Sequence, residues 1–212
     1  MDFAEAIRLH AHQPLTHQML NSLLKDYQQP NDKIHKLLRD GLLQAVKKGL
    51  YIAGPKLSSS RPEPFLLANH ILGPSYVSLE TALAYYDFIP ERVFEIASMT
   101  TKASRKFKTE TGTFSYTRLP LPYYSFGIRQ LKLADDQYAM VATPEKALCD
   151  KIITTSGMLF RSKKSTREFL LENMRMDEDK LRTLNTKEIS GWLSETAKEE
   201  SLQLLILTLE EL

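Results

Sequence analysis

The amino-acid sequence predicts an α+β fold, in which an N-terminal winged helix-turn-helix is followed by an α+β domain with a mostly antiparallel sheet and a helical C-terminal tail. Two observations lead to this prediction. Three short helical patterns and a basic hairpin fill the first 54 residues, and four strand-like segments follow between further helical patterns. The chain has 212 residues, of which 42% are hydrophobic, so it is long enough for two small cores.

The first two helices are indicated by apolar spacing and by capping residues. Residues 3–11 combine strong helix formers with apolar side chains on one stripe, and Pro14 follows them. Thr16 is a good N-cap residue, because its hydroxyl can accept a backbone N–H of the first turn. We therefore expect a second helix that starts after Thr16 and ends near Tyr27.

The third helix and the hairpin complete the order of elements in a winged helix. Asn31 or Asp32 is expected to cap the third helix, which should stop at Gly41. Two short apolar segments then flank Lys47-Lys48-Gly49, as a hairpin with a glycine in its turn requires. The predicted order is therefore three helices followed by a β-hairpin wing.

A polar stretch is expected to separate two domains. Residues 55–64 contain three serines between prolines, a composition that favours an extended linker, so we place one domain at 1–57 and the other at 64–212. The second domain should begin with two helices and end with several. Its strand-like segments are 93–99, 112–118, 125–133 and 137–142.

The outward side of the third helix and the wing are the candidate DNA-binding residues. A recognition helix in the major groove needs long polar side chains, and a wing beside the phosphate backbone needs cations. The helix offers Asn31, Lys33, His35, Lys36 and Arg39, and the wing offers Lys47 and Lys48. Thr16 and His17 are further candidates, because the start of the second helix can present backbone N–H groups and a hydroxyl to a phosphate.

The charge balance is modest, which leaves an alternative open. Residues 1–60 contain eight Lys and Arg against five Asp and Glu, so one copy should bind DNA weakly without a second copy or another basic surface. Residues 102–132 are basic and could supply that surface. The same basic side chains could instead meet an acidic protein, so the alternative is a winged-helix interaction module that binds no DNA.

Enzyme, metal and cofactor sites are not expected. No phosphate-binding or nucleophile-elbow motif occurs, and the histidines lack metal-ligand spacing. Cys149 lies in an apolar helical pattern and is expected to be a core residue. The carboxylates at 135–136 and 177–179 are typical of a turn and a helix start, respectively. No apolar run is long enough to cross a bilayer, so we expect a cytoplasmic protein.

Three segments together resemble the AbiEi antitoxin family of bacterial type IV toxin–antitoxin systems. They are LLRDGLLQAVKKGLYIAG at 37–54, SYVSLETALAYYDFIPE at 75–91 and ATPEKALCDKI at 142–152. Their order and separation also resemble those of the family. The chain after about residue 165 shows no such resemblance.

The resemblance implies a transcriptional autorepressor whose first domain binds double-stranded DNA at its own promoter and whose second domain is an antitoxin. It implies a nucleotidyltransferase-like toxin as the functional partner, without a stable complex. From the charge balance we expect a monomer or a homodimer. The resemblance assigns DNA contacts to the basic residues of the third helix and the wing. It also adds Arg105 and Lys106.

Overall fold

The N-terminal region contains three helices and three short strands in the computed structural model, which describes residues 3–212. In chain order these elements are α1 (Phe3–Leu9), β1 (Leu15–Thr16), α2 (His17–Leu23), α3 (Pro30–Arg39), β2 (Leu43–Lys47) and β3 (Leu50–Ala53). The strand order of their antiparallel sheet is β1–β3–β2. The three expected helices and the hairpin are present, and β1 is an element that the sequence analysis missed.

Two helix boundaries differ from those expected. The helix α2 ends at Leu23 rather than near Tyr27. Leu24 keeps the apolar spacing and is buried in the core, but its backbone is no longer helical, so the apolar pattern predicted a helix that is too long. The helix α3 begins at Pro30, so a cap at Asn31 or Asp32 is wrong. Proline at the first helical position needs no N–H partner and already has a helical φ, which explains the earlier start.

The second region is built on a six-stranded mixed sheet with strand order β6–β7–β5–β4–β9–β8. Three pairs are antiparallel and two, β5 with β7 and β4 with β9, are parallel. The strands β4 and β6 were not expected from the sequence. The strand bounds are β4 (Ser75–Val77), β5 (Glu95–Thr100), β6 (Arg105–Thr109), β7 (Gly112–Arg118), β8 (Ile128–Lys132) and β9 (Tyr138–Ala142).

Helices cover both faces of this sheet. On one face the Tyr116 hydroxyl donates to the Ala68 carbonyl of helix Pro64–Ile71 at 2.6 Å, and on the other the Tyr76 hydroxyl donates to Asp150 of helix Pro144–Thr154 at 2.9 Å. The C-terminal segment is helical, as expected. No helix of residues 3–212 is long and apolar enough to span a membrane. The helices are α4 (Pro64–Ile71), α5 (Leu79–Tyr85), α6 (Pro144–Thr154), α7 (Lys163–Glu168), α8 (Glu178–Leu181), α9 (Thr186–Ser190) and α10 (Glu199–Leu209).

The segment expected to be an extended linker is packed against both regions. Leu57 is buried in the N-terminal core. The Arg61 guanidinium donates to the carbonyl of Ala53 at 2.5 Å, and the Glu63 N–H donates to the Gln137 side chain at 2.6 Å. Composition predicted an extended linker here, but these hydrogen bonds hold the connector in place on both sides.

The β2–β3 hairpin lies between the two cores. Leu43 and Ala53 belong to the N-terminal core beneath the helices. Val46, Leu50 and Ile52 project from the opposite face and are buried in the core of the second region. The hairpin is therefore backed by the second region and does not project freely from the N-terminal region.

Candidate nucleic-acid interface

The helix α3 has one apolar and one polar side. Ile34 and Leu37 are buried in the N-terminal core, 2% and 4% exposed, so the positions between them must face outward. The side chains on the outward side are long and polar. Asn31, His35, Lys36 and Arg39 are exposed, and Lys33 is partly exposed with its ammonium 5.1 Å from the centre of the Tyr27 ring.

Apart from Lys33, the polar side chains on the outward side of α3 have no partner among residues 3–212. Within residues 3–212, the side chains of Lys36 and Arg39 form neither a hydrogen bond nor an ion pair. The same holds for Asn31 and His35 among the described residues. Their donors are therefore free to meet an external partner, and no intramolecular salt bridge would have to break first.

The hairpin tip presents two more cations beside α2. Lys48 is exposed and Lys47 is partly exposed, and neither has an ion-pair partner in the described part of the chain. Gly49 has a φ of +80°, a left-handed conformation that glycine adopts without strain. Its carbonyl accepts the His17 N–H at 3.0 Å, so the tip is fixed against the start of α2.

Thr16 and His17 have fewer free groups than expected. The Thr16 hydroxyl accepts the Met19 N–H at 3.1 Å as an N-cap, and its proton can still be donated to a phosphate. The His17 backbone N–H is taken by Gly49, so it cannot also bind a phosphate. The partly exposed His17 imidazole remains, 6.5 Å between ring centres from Tyr51.

Arg105 and Lys106 lie on β6, an edge strand of the second sheet, and not on the N-terminal region. Both are exposed, but the Lys106 ammonium pairs with the Glu95 carboxylate. The hydrogen bond from Lys106 lowers the pKa of Glu95, with a further contribution from the Ser115 hydroxyl. The two regions approach each other where the Gln44 amide of β2 donates to Glu110 at 2.8 Å, in the turn that follows β6.

A buried polar network that the sequence analysis missed joins two of the family-like segments. Asp150 accepts the hydroxyls of Tyr76 at 2.9 Å and Ser78 at 2.7 Å, and the Lys146 ammonium lies 3.1 Å from its other oxygen. The same ammonium donates to the Tyr123 carbonyl at 2.8 Å. The signal was the spacing of Lys146 and Asp150, four residues apart on one side of α6.

This network is closed to solvent. Lys146 and Asp150 are both 0% exposed at their side chains. Burial lowers the pKa of Lys146 and raises the pKa values of Asp150 and of the neighbouring Cys149 thiol. A group without access to solvent cannot meet a substrate, so the network holds segments 75–91 and 142–152 together and has a structural role.

The carboxylate clusters also have local structural roles. Asp136 pairs with Lys132 at 2.6 Å in a tight turn. Asp177 caps α8 by accepting the Lys180 N–H at 2.9 Å. No group of three or more His, Cys, Asp and Glu side chains is arranged to hold a metal ion in the part of the chain that the structure describes.

The comparisons with known proteins identify a similar fold but no family. No family model and no curated protein matches the sequence. The RV2827C protein from Mycobacterium tuberculosis, known from a crystal structure, superposes with a TM-score of 0.62 over 97% of this chain and 79% of that chain, at 15% sequence identity. At that identity the likeness concerns the fold alone.

Proposed function

We propose that residues 3–57 form a winged helix-turn-helix that binds double-stranded DNA. The order α1–β1–α2–α3–β2–β3 is that of a winged helix, with α3 as the recognition helix and β2–β3 as the wing. The single observation that carries the proposal is the outward side of α3. Its Asn31, His35, Lys36 and Arg39 side chains are exposed and have no partner among the described residues, and they lie beside a lysine-tipped hairpin.

The contacts follow from the chemistry of these side chains. In the major groove Arg39 and Lys36 can donate to guanine O6 and N7, and Asn31 can pair with adenine. Lys47 and Lys48 are suited to phosphates, where the contact adds affinity without sequence information. The cations of α3 and the wing number five, Lys33, Lys36, Arg39, Lys47 and Lys48, which favours weak binding by one copy and stronger binding by a homodimer.

We further propose that the protein is a cytoplasmic, non-catalytic autorepressor and the antitoxin of a type IV toxin–antitoxin pair. This part rests on the three AbiEi-like segments. Two of them meet at Asp150, where Tyr76 and Ser78 donate to its carboxylate. Because this contact supports the fold, these two segments are stronger evidence for a shared architecture than for a shared activity.

A mobility-shift assay on the promoter of the chain's own operon tests DNA binding. Replacing Lys36 and Arg39 by alanine removes two partnerless cations and should weaken binding about tenfold or more. The matched control replaces Arg161 and Lys164, which are equally exposed and have no partner in the described part of the chain. The proposal is contradicted if the wild type gives no mobility shift, or if both variants lose the shift equally.

The second candidate function is a protein-interaction module without DNA binding. The observation that favours it is β6, an edge strand whose Arg105 and Lys108 are exposed and have no ion-pair partner among the described residues. An exposed basic edge can accept an acidic segment of another protein. Absence of a promoter shift with the wild type, together with loss of an acidic partner after Arg105 and Lys108 are replaced by alanine, would favour this function.

A further inference from the structure

A cavity of about 370 Å³ lies where the wing meets the second region. Its walls come from Gln44 and Ile52 of the hairpin, the connector at 61–64, Leu67 of α4 and the turn at 110–111. This volume is in the range of small-molecule sites, which occur preferentially between domains. The polar groups on its walls indicate what it can hold.

The Arg61 guanidinium is fixed in place and still has donors to spare. Its Nη1 donates to the carbonyls of Ala53, Ser58 and Ser60 at 2.5, 3.3 and 3.5 Å. Its Nε and Nη2 form no hydrogen bond with any residue that the structure describes. An immobilised guanidinium with free donors is suited to a carboxylate, which it can bind through two parallel hydrogen bonds.

Two carboxylates face the same cavity. The Glu63 backbone is held by the Gln137 side chain at 2.6 Å, yet its carboxylate has no partner within residues 3–212. Among the residues that the structure describes, the Glu110 carboxylate accepts only the Gln44 amide, at 2.8 Å. Carboxylates with unused acceptor capacity are suited to an ammonium group.

The remaining walls are apolar. Ile52 and Leu67 are 1% and 3% exposed and line the cavity with two prolines of the connector, Pro62 and Pro64. A ligand that satisfies all of these groups carries a carboxylate, an ammonium and a short hydrocarbon side chain. We propose that the cavity binds a small zwitterion of the amino-acid type, with its carboxylate on Arg61, its ammonium on Glu63 and Glu110, and its side chain against the apolar wall that Pro62 and Pro64 form with Ile52 and Leu67.

This inference goes beyond DNA binding and does not depend on it, because the test uses the full chain without DNA. Amide resonances are followed while each protein amino acid is titrated to about 10 mM. An apolar amino acid should give saturable shifts at Gln44, Ile52 and Thr111. The best binder is then compared with its decarboxylated amine and its deaminated acid, each of which should bind at least about tenfold more weakly.

Variants separate the site from general ion effects. Glu63→Gln and Glu110→Gln keep the side-chain shape and should each weaken binding about tenfold, whereas Glu168→Gln, an exposed carboxylate on α7, should leave it unchanged. Arg61 stays intact, because its hydrogen bonds organise the connector, and the deaminated and decarboxylated ligands test its role. The proposal is overturned if no amino acid gives saturable shifts. It is also overturned if the three ligands bind equally well, or if the wild type and all variants bind the ligand equally well.

Discussion

The buried pair of Lys146 and Asp150 predicts an unusual pattern of mutational effects. Asp150→Asn keeps an acceptor for the hydroxyls of Tyr76 and Ser78 but removes the charge opposite an ammonium that is 0% exposed. Leaving one charge of a buried pair uncompensated costs about 3–5 kcal/mol. For a chain of this size, such a loss lowers Tm by about 6–20 °C.

The decisive comparison is with the double variant. Adding Lys146→Met removes the stranded ammonium and leaves a side chain of similar length, so the double variant should be more stable than Asp150→Asn alone. Urea denaturation of the wild type, both single variants and the double variant measures the coupling. If the free-energy losses of the two single variants simply add, the two residues do not act as an ion pair and this reasoning is refuted.

Three further predictions concern reactivity, domain independence and pH. The Cys149 thiol is buried and its pKa is raised, so it should resist iodoacetamide in the native protein and react after denaturation, as mass spectrometry would show. A fragment of residues 1–57 should be much less stable than that region in the full chain, since Val46, Leu50 and Ile52 lose their cover; circular dichroism of the fragment checks this, and full native stability would contradict it. Pairing with Lys106 lowers the pKa of Glu95 in the folded protein. This pairing therefore stabilises the fold fully at pH values above the ordinary glutamate pKa of about 4.3. The stabilisation is lost as the pH falls through the lowered pKa. The stability difference between the wild type and Lys106→Ala should therefore shrink on acidification, and a constant difference would contradict the assignment.

The outward side of α3 was predictable because one periodic pattern defines both sides of a helix. Once Ile34, Leu37 and Leu38 are assigned to the core, the polar residues between them must face solvent. The strands β4 and β6 were not predictable in this way. Three-residue β4 is buried throughout, and Phe107 is the sole hydrophobic side chain of β6, so neither shows a clear alternation of apolar and polar residues.

The position of the β2–β3 hairpin was harder to predict than its existence, although a signal was present. The hairpin has apolar residues on both faces, Leu43 and Ala53 on one and Val46, Leu50 and Ile52 on the other. A hairpin that faces solvent on one side would show polar residues there. Apolar residues on both faces therefore indicate that the second region covers one face of the hairpin.

The salt dependence of DNA binding tests the central claim most directly. If the five cations of α3 and the wing each neutralise one phosphate, the logarithm of the binding constant falls with the logarithm of salt concentration with a slope of about −4.5 per copy. Replacing Lys36 and Arg39 by alanine should reduce that slope to about −2.7, as measured by fluorescence anisotropy on the promoter duplex. If the Lys36 and Arg39 variant instead has the same slope as the wild type and as the Arg161 and Lys164 control variant, DNA binding through this surface is contradicted.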